Sequence, residues 1–141
     1  MNDVAINKIQ SIQQCVARAR EEYEANRDGF ATDYTRQDAA VLNVLRACEQ
    51  AIDLANHVIK RYKMGIPTAS ADSFALLQRQ GIIDDTLLQK LKGMVHFRNI
   101  AIHQYQKMNI EITRSVIETG LDDLIQFGDA VLGWLDSRDS S

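Results

Sequence analysis

The chain has 141 residues, 45% of them apolar and 25% charged, with a net charge of −3. This length suits one domain around one core, and the composition excludes disorder and fibrous repeats. The negative balance excludes salt-driven nucleic-acid binding over the whole surface, but leaves local basic clusters at Lys60, Arg61, Lys63 and at Lys90, Lys92, His96, Arg98.

One proline and seven glycines predict long uninterrupted helices rather than strands and turns. No apolar stretch approaches the ~18 residues of a membrane span, and no signal-peptide pattern opens the chain, so a cytoplasmic protein is expected. Cys15 and Cys48 both fall on apolar helical positions, which predicts two reduced, buried thiols rather than a disulfide or zinc framework.

Residues 1–24 form the first predicted helix, with Ala5, Ile9, Ile12, Val16, Ala19 and Tyr23 recurring at steps of three and four. "EANRDGFATDYT" breaks it. The second helix is predicted over 36–63, with a seam of Val41, Leu45, Cys48, Ile52, Ala55 and Ile59. Asn43, Arg46, Gln50, Asp53, His57 and Lys60 take the opposite face, either as solvated surface or as the wall of a wet cleft. "MGIPTASADS" ends this helix, with Gly65 suited to a positive φ and Pro67 blocking continuation. Ser70 or Asp72 is expected to cap a short third helix running to Gln80, and Gly81 closes it. Asp84 caps the fourth helix, which turns Leu87, Leu88, Leu91, Met94 and Val95 inward. Asn109 caps the last, which runs to about Ser137 on a seam of Ile117, Leu121, Leu124, Val131 and Leu135. Gly128 occupies the missing seam position at a cost of ~1 kcal/mol in helix propensity, which predicts a close helix crossing there. Trp134 is expected in the core or an interface. The sum is an all-α bundle of four long helices plus a short one, a single domain over 1–141 with a polar tail from about 136.

The second half of the fourth helix carries an unusual set of groups: "HFRNIAIHQYQ", His96–Gln106. Arg98 offers a planar donor fork suited to phosphate. His103 exchanges protons near neutral pH. Asn99, four residues before His103, shares its face and can orient the imidazole or hold a phosphate oxygen. Tyr105 adds a hydroxyl or a stacking ring. No carboxylate cluster or glycine-rich loop lies nearby in sequence, so neither a two-metal nuclease site nor a phosphate loop is suggested. An arginine and a histidine without metal suit RNA cleavage by the chain's own 2′-OH, giving a 2′,3′-cyclic phosphate and a 5′-OH. Geometry resists this on one straight helix, because five residues separate Arg98 from His103 by ~140°. A helix end, a distortion or a second chain must bring the groups together. His96 is the intramolecular alternative as second proton-handling group; it shares a face with His103 but lies ~10 Å away along the axis.

The pattern R-x4-H-x-Y, filled by Arg98, His103 and Tyr105 with Asn99 after the arginine, resembles the HepT family of minimal HEPN-domain toxins. "NKIQSIQQCVARA", "AAVLNVLRACEQAIDLANHVI" and "GIPTASADSFALL" extend the likeness over nearly the whole chain. The resemblance implies a HEPN-type bundle that dimerises through its helices, and the toxin of a type VII-like toxin–antitoxin module. It implies a metal-independent endoribonuclease with Arg98 and His103 catalytic, Asn99 supporting and Tyr105 adenylylated. It also implies an MntA-like nucleotidyltransferase antitoxin that consumes ATP, an RNA substrate, a homodimer with room for a higher hetero-oligomer, and no cofactor in the toxin itself. His96, Arg46, Glu49 and Asp53 are further candidates for lining the cleft. Glu49 and Asp53 either pair along their own helix or reach across the bundle to orient Arg98.

A second reading keeps the fold and the partner but drops the cleavage: a non-catalytic nucleotide-binding or interaction module that partners a nucleotidyltransferase. A third, a purely structural helical dimer, leaves the "RN" and "HQY" groups unexplained.

Overall fold

The computed structural model describes residues 2–139. The helices are α1 (Asp3–Ala25), α2 (Tyr34–Arg61), α3 (Ser70–Arg79), α4 (Asp85–His103), α5 (Ile110–Ser115) and α6 (Leu121–Asp139). Val116–Gly120 between α5 and α6 is wound as a π-helix, so the last three segments form one helical rod. Short 3₁₀ turns occupy Phe30–Thr32 and Tyr105–Lys107, and no strand occurs among the described residues. Three long helices, the final rod and the short α3 give the predicted four-plus-one bundle.

The caps explain most boundaries. The Asp33 carboxylate accepts from Arg36 N at 3.1 Å, so α2 starts two residues before the sequence pattern suggests. It also ends earlier. Gly65 takes the predicted positive φ (119°), but Lys63 is the left-handed residue that closes the helix (φ 56°), and Met64 N–H returns to Ile59 O at 2.9 Å. That six-to-one closure is a Schellman motif with lysine where glycine is usual. Neither Ser70 nor Asp72 is the N-cap of α3. Ala69 takes that position, and Asp72 reaches back from the first turn to the Thr68 hydroxyl. Asp84 and Asn109 cap α4 and α5 with side-chain bonds of 2.8 Å to Leu87 N and Glu111 N.

All six predicted core positions of α1 are buried, as are the five of the final rod. Gly128 permits the expected close crossing: a β-carbon there would stand 3.4 Å from Ile9 of α1. The second helix buries far more than one seam, because α1, α3, α4 and α6 all pack against it. Ala40, Val44, Ala47, Ala51, Leu54 and Val58 join the predicted seam, while Leu45 is only half-buried. Asn43, expected on the polar face, is buried, with its amide nitrogen donating to Ala39 O at 2.9 Å. Cys48 is buried but Cys15 only half-buried, and both thiols are free. Trp134 is half-buried, edge-on to Tyr62 at 4.9 Å.

A polar network fastens α1 to the π-helical turn. Arg20 donates to Ile117 O at 3.1 Å and to Asp122 at 2.8 Å. The Tyr23 hydroxyl donates to Glu118 at 2.5 Å, and Glu118 also pairs with Arg27 at 3.1 Å. Arg114 completes it by donating to Arg27 O at 3.0 Å and to the Tyr23 oxygen at 3.3 Å. Among the described residues no helix is long and apolar enough to cross a membrane.

Candidate active site

The quoted motif straddles the end of α4. The helix stays regular through His103, and Gln104 leaves it at φ −140°, its N–H still bonded to Ile100 O at 2.7 Å. Tyr105 then opens the 3₁₀ turn, which Lys107 N closes onto Gln104 O at 2.8 Å. The break expected near this motif therefore falls just after His103. Within one chain Arg98 and His103 remain on diverging faces, ~140° apart.

Arg98 is clamped at its base and open at its tip. Its Nε donates to Glu49 Oε1 of α2 at 2.6 Å, and one Nη1 hydrogen donates to Asn99 Oδ1 at 2.9 Å. The side chain is 20% exposed, so it is largely covered but still reachable from solvent. Among the described residues Nη2 has no partner, which leaves donors for an incoming phosphate. The Cys48 thiol next to Glu49 in sequence is pushed up to about 12, first by burial and then by the Glu49 charge, so it stays protonated.

The other candidates separate. Asp53 turns to Lys8 of α1, 3.9 Å away, so of the two acids only Glu49 holds Arg98. Arg46 and His96 are exposed and, among the described residues, make no side-chain hydrogen bond or ion pair. The same holds for His103, whose imidazole is exposed at the helix end. Ile102 beside it is 50% exposed.

Tyr105 has a partner the sequence did not announce. Its hydroxyl donates to Asp38 Oδ1 of α2, 67 positions away in the chain. Burial first, then that bond and the Asp38 charge, push the phenol up to about 12, so it carries its proton at neutral pH. Asp38 precedes Glu49 by 11 residues, three turns of α2, which puts both acids on nearly one stripe. That shared phase is the one sequence signal by which Asp38 could have been found. The Tyr105 ring is the common wall of two clefts. One, of about 450 Å³, is lined by Tyr34, Gln37, Val41, Gln106 and Met108; the other, of about 310 Å³, by Asp38, Val41, Leu42 and Leu45.

A helical bundle with an arginine, an asparagine and a histidine at the end of one helix, and an acid from the neighbouring helix on that arginine, defines a HEPN-type protein. A family model described as "Ribonuclease HepT-like" matches residues 12–131, and the chain belongs to the HepT-like family. The mRNA nuclease HepT of Shewanella oneidensis is 43% identical over 131 residues, covering 93% of this chain and 98% of that one. A tri-AMPylated Shewanella oneidensis HEPN toxin, solved in complex with an MNT antitoxin, superposes with a TM-score of 0.89 at 42% identity, covering 94% and 99% of the two chains. A toxin–antitoxin structure with AMP-PNP gives 0.89 at 41% over the same shares. YutE of Bacillus subtilis, at 16% identity and a TM-score of 0.76, shares the fold alone.

Proposed function

We propose that this chain is the toxin of a toxin–antitoxin module: an endoribonuclease that an MntA-like nucleotidyltransferase silences by adenylylating Tyr105. The observation that carries the reading is Arg98, fixed by Glu49 and Asn99 with Nη2 free, at the same helix end as the unpartnered His103. Such an arginine is pre-set for a phosphate in which negative charge grows during reaction.

In the cleavage step one imidazole removes the 2′-OH proton and the 2′ oxygen attacks phosphorus. The bond to the 5′ oxygen breaks, and that oxygen takes a proton from a second acid. A second copy supplies the missing geometry. Two chains meeting at this face around a two-fold axis bring two Arg98 and two His103 to one cleft. The exposed Ile102 and Leu42 near the motif give such an interface apolar contacts. The AMP group on Tyr105 would add a negative phosphate and a bulky nucleoside beside that cleft, countering the guanidinium charge and excluding RNA. The toxin needs no cofactor of its own; ATP is the partner's substrate. The cytoplasm, where messenger RNA is found, is its place of action.

The test is cleavage of an unstructured RNA by the purified chain in EDTA. Fragments ending in 2′,3′-cyclic phosphate and 5′-OH are expected, and His103→Ala should slow their appearance ~10²-fold or more. Cleavage that EDTA abolishes, or that His103→Ala leaves intact, overturns the reading. Expressing each partner alone separates it from the binding-module reading, which predicts a harmless chain and a toxic partner.

A further inference from the structure

We propose that Asp38 is the proton acceptor and aligning group for adenylylation of Tyr105, a carboxylate supplied by the modified protein itself. The inference rests on the reading of Tyr105 as the modified residue and adds the group that makes this hydroxyl reactive.

The chain contains four tyrosines, and their surroundings differ in ways that matter for group transfer. Tyr23 bonds a carboxylate, Glu118, but is 1% exposed, so no transferase can approach its oxygen. Tyr34 is 70% exposed but, among the described residues, its hydroxyl has no acceptor. Tyr62 is half-buried against Trp134 and likewise lacks a carboxylate. Tyr105 alone combines the two requirements, being 41% exposed with its proton already directed at Asp38 Oδ1.

Asp38 is also free for the task. The other acids that mark α2 are engaged: Asp33 caps the helix, Glu49 holds Arg98 and Asp53 pairs with Lys8. Asp38 is exposed, and among the described residues its side chain is bonded to the Tyr105 hydroxyl and to no cation. A carboxylate neutralised by a lysine or arginine would be a poorer proton acceptor.

The chemistry requires such a group. The phenol is protonated at neutral pH, and a protonated phenol is a weak nucleophile. In the step, the Tyr105 oxygen forms a bond to the α-phosphorus of a nucleoside triphosphate. The bond from that phosphorus to the bridging oxygen breaks, and pyrophosphate leaves with the electron pair. As the new bond forms the phenolic proton becomes strongly acidic, and Asp38 takes it. A carboxylate is basic enough at that moment, and it is within hydrogen-bond reach beforehand. The bond also fixes the direction in which the oxygen lone pair points.

The experiment follows adenylylation by the MntA-type partner with ATP and Mg²⁺, using intact mass against time. Asp38→Asn should lower kcat ~10²-fold or more while leaving KM for ATP unchanged. Asp38→Glu should recover part of the rate. RNA cleavage by the unmodified variants, and their Tm, should match the parent, because Asp38 touches neither Arg98 nor the core. Labelling of Asp38→Asn at the parental rate overturns the proposal, as does a raised KM with kcat unchanged. Tyr105→Phe distinguishes the two failures. If it accumulates the same adduct, the assignment of Tyr105 falls and Asp38 with it. If it stays unlabelled while Asp38→Asn labels normally, the role of Asp38 falls alone.

Discussion

Two phenol–carboxylate pairs sit at opposite extremes in this molecule. Tyr23 donates to Glu118 inside a network that also holds Arg20, Arg27 and Arg114. Tyr105 donates to Asp38 at the surface, in the same chain segment as Arg98 with its free Nη2 and His103 with no partner among the described residues. In both, burial leads the causes that raise the phenol, and the carboxylate adds to it. The chemistry of the pair is therefore the same, and what differs is saturation. In the first pair the Tyr23 oxygen also accepts from Arg114 and Glu118 also pairs with Arg27, so both partners are engaged by cations. In the second, donors and acceptors face water. Capacity for work lies in what a polar cluster leaves unpaired, not in how many charged groups it contains.

The largest contrast comes from cutting the saturated network. Tyr23→Ala removes a buried aromatic ring and should cost ~3–5 kcal/mol of stability, read from denaturant midpoints, with cleavage per folded molecule unchanged. A small stability loss with lost cleavage would erase the distinction between the two regions. Glu49→Gln probes the open cluster from the other side. The amide keeps a hydrogen bond to Arg98 but gives up its charge assistance, so cleavage should fall about tenfold, equivalent to ~1.4 kcal/mol. Tm should barely move, because the pair is partly solvated. Parental cleavage by this variant would mean that the guanidinium holds its place without help.

The smallest effect is spectroscopic. Tyr105 holds its proton more tightly folded than unfolded, so its contribution to stability is complete below about pH 10 and disappears as pH rises through about 12. Alkaline difference absorbance should therefore show a late phenolate transition that Tyr105→Phe removes and Asp38→Asn shifts to lower pH. A transition unmoved by Asp38→Asn would show that burial alone raises the phenol.

Much of this was legible in the chain. Apolar steps of three and four located every long helix, and Asp84 and Asn109 announced their caps because an N-cap is a local event. The motif marked Arg98, Asn99, His103 and Tyr105 because their spacing lies within three turns. Long-range pairing was not legible. Glu49 and Asp53 are four residues apart on one face, and which of them meets Arg98 depends on how α2 and α4 cross. Asp38 lies 67 positions from its tyrosine, and Arg20 lies 97 from the Ile117 carbonyl it satisfies. Asn43 misled because a single-seam reading assumes one buried stripe, whereas α2 is packed by four helices. Lys63 shows that the penalty of a left-handed non-glycine residue is accepted where the closure demands it.

The π-helical turn at Val116–Gly120 has a consequence for chain length. A π-turn accommodates one residue more than an α-turn over the same rise. Losing one residue there would let the segment rewind as α-helix and keep Leu121, Leu124 and Val131 in phase with the core. The same deletion inside α6 would rotate everything beyond it by ~100° and turn the seam out of the bundle. Five residues of the rod thus act as a splice joint, where an insertion or a deletion is absorbed without being transmitted.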